Sequence, residues 1–413
     1  MLPQANLETL DNGLRVVLAP DSHAESVTYG LFVSSGSRHE KPGFEGISHF
    51  IEHMLFKGTR RRSAIKISQA IEGRGGSFNA FTGEEGTCFY ARVPKGELAT
   101  AVRIIGEMYT SPAIPESEFD RERRVVLEEI KMYDDEPDSV ASENLSKLMF
   151  PGNSLGLPVA GRAQSLMAMT PKTLRGYIEK AYVPRATVAV LVGNFKRPRA
   201  LKHIEETLGH LAGGTPLAFE RVDPLAPASG EVSAERDIQQ TQLAIGWKTF
   251  GSLDDRRFAL SVFDAMMGRS MSSRLFQSVR ERRGLSYDIR SNLQFFDDAG
   301  GWTITAGLDG SRADEALSTI WREIDRARTR PPSAAELKRT KDYLVGNYRL
   351  GFERMLTRLM YYGASVITWG KIVPPEETAE RLQSVTAEEV LSVAKDILVD
   401  ERRSISWVKP RRK

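Results

Sequence analysis

The chain has 413 residues, 41% hydrophobic and 27% charged, a globular balance with enough length for two or three hydrophobic cores. Lysine and arginine number 57 against 54 acids, and a net charge of +3 gives no single-sign field of the kind a nucleic-acid-binding chain carries. No stretch is apolar for the length a bilayer requires, the N-terminal residues lack the pattern of an export signal, and the single cysteine, Cys88, cannot close an internal disulfide and reads as a buried, inert thiol.

In chain order, Gly13–Leu18 and Val27–Val33 read as strands separated by Pro20, Asp21 and Ser22. A helix begins near Glu45, and a second follows Ser63 through Ile67 and Ile71 and stops at the glycines of 73–76. Ser77 to Val93 reads as a hairpin turning at Gly83-Glu84-Glu85-Gly86. Leu98, Val102, Ile105 and Tyr109 recur at helical spacing, and Pro112 and Pro115 separate that helix from another starting near Glu116.

Residues 213–230 are rich in proline, glycine and alanine and lack periodicity, so they read as a linker between a domain at 1–212 and another at 231–413. The order then recurs: a strand over Thr241–Trp247, a helix over Arg256–Gly268, strands over Ser286–Leu308 and a helix from Ala313. The segment Ile114–Phe119 matches Pro332–Leu337, each preceded by an amphipathic helix and followed by a long one, so the chain reads as internally duplicated. That register sets Asn347 opposite Glu129. All six histidines precede the linker, and the second half cannot build a histidine metal site.

In Ser48-His49-Phe50-Ile51-Glu52-His53-Met54-Leu55-Phe56 two histidines stand four apart, so on a helix both imidazoles leave one face and can grip one cation. Glu52 precedes the second histidine, the inverted H-x-x-E-H arrangement. Imidazole and carboxylate are zinc's borderline ligands, and three protein ligands leave a position for water. A merely polar surface would be a narrow strip, because Ile47, Phe50, Ile51, Met54 and Leu55 cover the rest of this helix. For the third ligand, the helix from Glu116 to Tyr133 offers two inward carboxylates, Glu122 and Glu129, which share the apolar face of Phe119, Val126, Ile130 and Tyr133. A carboxylate pointing inward needs a cation or hydrogen bonds.

The run His49-Phe50-Ile51-Glu52-His53-Met54-Leu55-Phe56-Lys57-Gly58-Thr59 resembles the signature of the M16 metallopeptidases, the pitrilysin, insulin-degrading and mitochondrial-processing-peptidase group. The resemblance implies one zinc per chain on His49, His53 and Glu129, the last within Glu128-Glu129-Ile130, with Glu122 as the acid behind the ligands and Glu52 as the base that activates water. Gly75–Thr82 resembles the family's edge strand, where an extended peptide adds by main-chain hydrogen bonds, with Asn79 and Ala80 near the scissile bond. Arg280–Tyr287 resembles the segment whose arginine and tyrosine complete the active site, Arg280 and Tyr287 holding the substrate backbone and the developing oxyanion.

The resemblance spans the chain. It implies an α+β fold of two duplicated units, each an antiparallel sheet packed with helices, enclosing a chamber that admits peptides or unfolded segments. The length matches the short branch that assembles as homodimers or heterodimers of related chains. Members that prefer arginine before the cut carry two acids where this chain has Ser139 and Glu143, so that preference is not expected. The expected activity is zinc metalloendopeptidase, in a bacterial cytoplasm first, with a periplasm or an organelle matrix left open. Against it stands a noncatalytic scaffold or peptide-binding subunit, whose mark would be a damaged metal motif.

Overall fold

The computed structural model describes residues 5–411. Two compact units share the chain, and neither is continuous in sequence. The first takes the residues up to Ile130, Pro158–Glu220 and Leu350–Val373; the second takes Lys131–Leu157, Arg221–Arg349 and the residues from Pro374 on. Residues 213–229 contain no helix or strand.

The first unit is built on six strands, β1 (Asn6–Thr9), β2 (Arg15–Pro20), β3 (Ser26–Val33), β4 (Ser77–Thr82), β5 (Thr87–Pro94) and β6 (Thr187–Gly193), in the order β1-β2-β6-β3-β5-β4. All neighbours are antiparallel except β2 and β6, so the sheet is antiparallel apart from one parallel pair. The strand β6 returns after a run of helices and enters the middle of the sheet, which is why Thr187–Gly193 reads as an unbroken apolar run buried along its whole length. The predicted hairpin is β4–β5, and β4 forms the sheet edge.

Helices α1 (Ile47–Leu55), α2 (Ala64–Glu72), α3 (Leu98–Thr110) and α4 (Glu116–Asp135) follow the predicted starts. On one face of the sheet Val16, Leu18, Tyr29 and Leu31 share a core with Phe50 and Met54 of α1 and Val102 and Ile105 of α3. The other face, with Val17, Phe32, Val188, Val190 and Val192, is covered by Leu359, Tyr362 and Val366 of the helix Met355–Trp369.

The second unit contains β7 (Gly230–Arg236), β8 (Thr241–Phe250), β9 (Ser286–Phe295), β10 (Ala299–Leu308) and β11 (Arg403–Pro410), in the order β7-β11-β8-β10-β9 with β7 and β11 parallel. Counted along the chain, β2–β6 and β7–β11 share one order: first, fifth, second, fourth, third. The duplication read from the sequence therefore extends to topology. One face of this sheet packs Trp247, Trp302 and Ile304 against Leu260 and Phe263; on the other, α5 (Pro137–Met149) sets Leu145 and Met149 against Ala244 and Val408.

Candidate metal centre

The helix α1 is oriented by its apolar residues. Ile47, Phe50, Ile51, Met54 and Leu55 are all at most 1% exposed, which turns His49, Glu52 and His53 to the remaining side. Its first turn is fixed from outside the helix: the Glu40 carboxyl accepts the backbone N–H of Gly46 at 2.7 Å and of Ser48 at 2.8 Å, satisfying donors that a helix start leaves open. Enclosure of that carboxyl raises its pKa to about 7 against the lowering effect of those two bonds.

The imidazoles of His49 and His53 lie 4.7 Å apart, centroid to centroid. Both turn Nε2 toward Glu129 on α4, whose Oε1 is 3.8 Å from His49 and whose Oε2 is 3.4 Å from His53. Phe119, Glu122 and Val126 are the buried residues of α4, so the face read from the sequence is the one that turns inward. The two inward glutamates have different places. Glu129 faces the Nε2 atoms, whereas Glu122 meets the far side of His53, Oε1 to Nδ1 at 2.9 Å, and takes Lys57 Nζ on Oε2 at 2.6 Å.

Protonation follows from these contacts. Burial is the largest influence on His49 and, with the nearby His53, drives its pKa down to about 4 although Glu129 opposes it, so that the ring is neutral at pH 7. For His53 burial acts downward but is outweighed by the Glu122 hydrogen bond and the surrounding carboxylates, and the pKa rises. Burial also acts upward on Glu122, and its bonds to His53 and Lys57 prevail and lower it. Glu52 is raised, chiefly by burial, against a 2.6 Å hydrogen bond donated to its Oε2 by the Thr82 hydroxyl.

His49, His53 and Glu129 offer three ligand atoms within 4.8 Å of one another, the only such His/Cys/Asp/Glu group among the described residues. The donor chemistry fits zinc. Two imidazole nitrogens and a carboxylate oxygen converge, His49 is held neutral as a ligand must be, and Glu122 occupies His53 Nδ1, which fixes the tautomer that leaves Nε2 to a metal.

The remaining expected residues fall in two places. Asn79 and Ala80 lie on the edge strand β4, where the Asn79 side chain accepts the Ala80 backbone N–H at 2.9 Å. Arg280 and Tyr287 lie in the second unit beside each other, the guanidinium 5.0 Å from the tyrosine ring centroid, Arg280 on a π-helical turn (Phe276–Glu281) and Tyr287 78% exposed. On α5, Ser139 bonds Glu136, and Glu143 is 3.7 Å from Lys147. Asn347, opposite Glu129 in the duplication, is exposed and donates to the Tyr343 carbonyl. The buried Cys88 has its thiol pushed well up by burial, in keeping with an inert role. Sequence reading missed Lys57 and Thr82 as partners of site carboxylates. Lys57 was within reach, four residues past His53 and one turn further on.

Two histidines and an acid on one helix, with a carboxylate from a second helix and another behind it, form the arrangement of the inverted H-x-x-E-H class, and three of these side chains are placed so that they could hold a metal ion. The description "Insulinase (Peptidase family M16)" matches residues 15–163, and "Peptidase M16 inactive domain" matches 168–344. The chain is 34% identical to an uncharacterized zinc protease of Streptomyces coelicolor over 97% of its own length and 89% of the relative's. It is 32% identical to one of Bacillus subtilis, covering 95% of each chain, and 35% identical to one of Mycobacterium tuberculosis strain H37Rv, covering 94% and 90%. The chain belongs to the M16 peptidase family. Its fold matches a protease from Helicobacter pylori with a TM-score of 0.93 at 19% identity, covering 99% and 100% of the two chains. A Pseudomonas fluorescens structure described as a peptidase M16 inactive domain gives 0.92 at 20% identity, covering 99% and 98%.

Proposed function

We propose that this chain is a zinc-dependent endopeptidase that hydrolyses peptides or unfolded segments, with one zinc per chain held by His49, His53 and Glu129. The observation that carries the reading is the convergence of those three side chains beside Glu52, in a family of peptidases. When bound, zinc supplies Lewis acidity, making an adjacent water more acidic and polarising a carbonyl oxygen.

The chain's own groups do the rest. Glu52 takes the proton of the attacking water and delivers it to the departing amine; a base with a raised pKa is matched to both transfers. Glu122, neutralised by Lys57, holds His53 at Nδ1. An extended substrate adds along the free edge of β4, with Asn79 and Ala80 beside the bond to be cut, and Arg280 and Tyr287 steady its backbone and the developing oxyanion. The chain works as a homodimer or with a related chain. No helix among the described residues is long and apolar enough to cross a membrane, and the compartment proposed is a bacterial cytoplasm.

The test is hydrolysis of a mixed library of unstructured peptides by the zinc-loaded protein. Cleavage is expected in the wild type, none in Glu52→Gln with zinc retained, and neither zinc nor cleavage in His49→Ala. Wild-type turnover in Glu52→Gln would remove Glu52 from its role. Zinc binding without any cleavage would favour the peptide-binding or scaffold reading.

A further inference from the structure

The proposed base Glu52 accepts a hydrogen bond from a residue outside the candidate ligand set: the Thr82 hydroxyl, 2.6 Å from Oε2. Thr82 is the last residue of β4, the edge strand proposed to receive substrate, and is paired in register with Thr87 of β5. It is followed by the tight turn Gly83–Gly86, closed by Gly83 N–H to the Gly86 carbonyl at 2.9 Å.

That turn is pinned on its outer side. The backbone N–H of Ser37 donates to the Gly83 carbonyl at 3.2 Å and that of Arg38 to the Glu84 carbonyl at 2.8 Å. Contact is so close that a Cβ on Gly36 would lie 2.1 Å from the Gly83 oxygen. The Arg38 side chain, 0% exposed, reaches Glu85 Oε1 at 2.5 Å, lies 3.9 Å over the Phe219 ring and donates to the Glu220 carbonyl. Thr87 adds a bond from its hydroxyl to the Ser35 carbonyl at 2.9 Å. The threonine therefore stands at the end of a strand whose turn is held at several points, and its β-branched side chain has few rotamers to choose from. One oxygen of Glu52 is engaged, leaving Oε1 to receive a proton.

Resting on the peptidase reading above, we propose that Thr82 is the positioning residue for the base: its hydroxyl holds Glu52 by Oε2 so that Oε1 faces the attacking water. Through it, the strand that receives substrate and the group that accepts the proton belong to one held piece of backbone. Misplacing a reacting group lowers the chemical step, whereas the main-chain edge of β4 that binds peptide is unchanged by a side-chain substitution.

The experiment compares Thr82→Val, which keeps the shape and removes the hydroxyl, with Thr82→Ser, which keeps the hydroxyl, using the full chain with zinc content measured. Thr82→Val is expected to lose about tenfold to a hundredfold in kcat with KM unchanged, and Thr82→Ser to stay within about threefold of wild type. Crystal structures of the zinc-loaded variants give a readout independent of turnover: the Glu52 carboxylate leaves its place in Thr82→Val and keeps it in Thr82→Ser. The proposal is overturned if Thr82→Val retains wild-type kcat, if the serine variant falls as far as the valine variant, or if Glu52 stays in place in both. If the wild type binds zinc and cleaves nothing, the peptidase reading fails, and the position of Glu52 in the two structures still decides whether Thr82 holds it.

Discussion

At the scale of single residues, the candidate centre is a set of partnered side chains rather than an exposed polar strip, and the partnerships make separable predictions. Glu122 is bonded to His53 and Lys57, so Glu122→Gln keeps the shape but gives up the carboxylate that would make His53 a good ligand in the proposed zinc centre. Zinc affinity is expected to fall about tenfold to a hundredfold, read by competition with a chromogenic chelator; unchanged affinity would leave Glu122 with a packing role only. Glu40 carries a pH prediction. Its folded pKa of about 7 lies above the ordinary 4.5 because burial disfavours the charge. Between those two values the folded state binds a proton that the unfolded state has lost, so this group's contribution is fully present below pH 4.5 and lost as pH rises through about 7. Glu40→Gln, which cannot ionise, is expected to flatten that fall in urea-unfolding free energy across the same window. An unchanged slope would mean that Glu40 is ionised throughout.

The element scale shows what the sequence made legible. His49, Glu52 and His53 sit within five residues of one amphipathic helix, so spacing alone places them on one side, and the structure brings them together. Glu122 and Glu129 could not be separated by periodicity, since seven residues return to the same face; which of them meets the imidazoles at Nε2 depends on where along α4 the helix α1 crosses. The contacts of Thr82 and Glu40 join elements far apart in sequence or loop to helix, and no local pattern encodes them. The parallel pair in each sheet was likewise hidden, because β6 and β11 are inserted beside β2 and β7 by where preceding helices return the chain. Close packing between elements gives the next prediction. In the helix Met355–Trp369, Gly363 lies against Phe32, and an added Cβ would come within 2.5 Å of two ring atoms and 2.6 Å of a third. Replacing a helical glycine by alanine ordinarily gains about 1 kcal/mol. Here the ring is locked in the β3 face of a packed core, and forcing it aside costs about 1–3 kcal/mol. Gly363→Ala is therefore expected to lower stability in urea unfolding, the reverse of the helix-propensity result, and a gain would show that Phe32 moves freely.

At the scale of the whole molecule, the duplication carries an exchange. In each half one long helix, α4 or Ala334–Gly351, is followed by another helix, α5 or Met355–Trp369, and in each case that following helix belongs to the unit built mainly by the other half. The sequence repeat at 114–119 and 332–337 marks the starts of the two long helices, but repetition does not say which sheet the next helix covers; that is settled by apolar faces, Leu145 and Met149 on β8 and β11, Leu359, Tyr362 and Val366 on β3 and β6. The unit that carries the candidate metal centre thus depends on a helix that begins 162 positions beyond its last strand, since β6 ends at Gly193 and the covering helix begins at Met355. Each large apolar side chain returned to water costs roughly 1.5–3 kcal/mol, so losing Leu359, Tyr362 and Val366 removes about 5–9 kcal/mol, against a total of about 5–15 kcal/mol for a typical domain. A fragment ending at Glu220 retains every candidate zinc ligand and is nonetheless expected to lack fixed packing, with strong binding of a hydrophobic dye, weak near-ultraviolet circular dichroism and no stable zinc site. The full chain cut once within residues 221–229 keeps the covering helix and is expected to hold zinc with native circular dichroism. A well-packed, zinc-binding fragment would show that the first unit stands without its exchanged helix, and loss of zinc on the single cut would show that linker continuity, rather than the covered sheet face, maintains the centre.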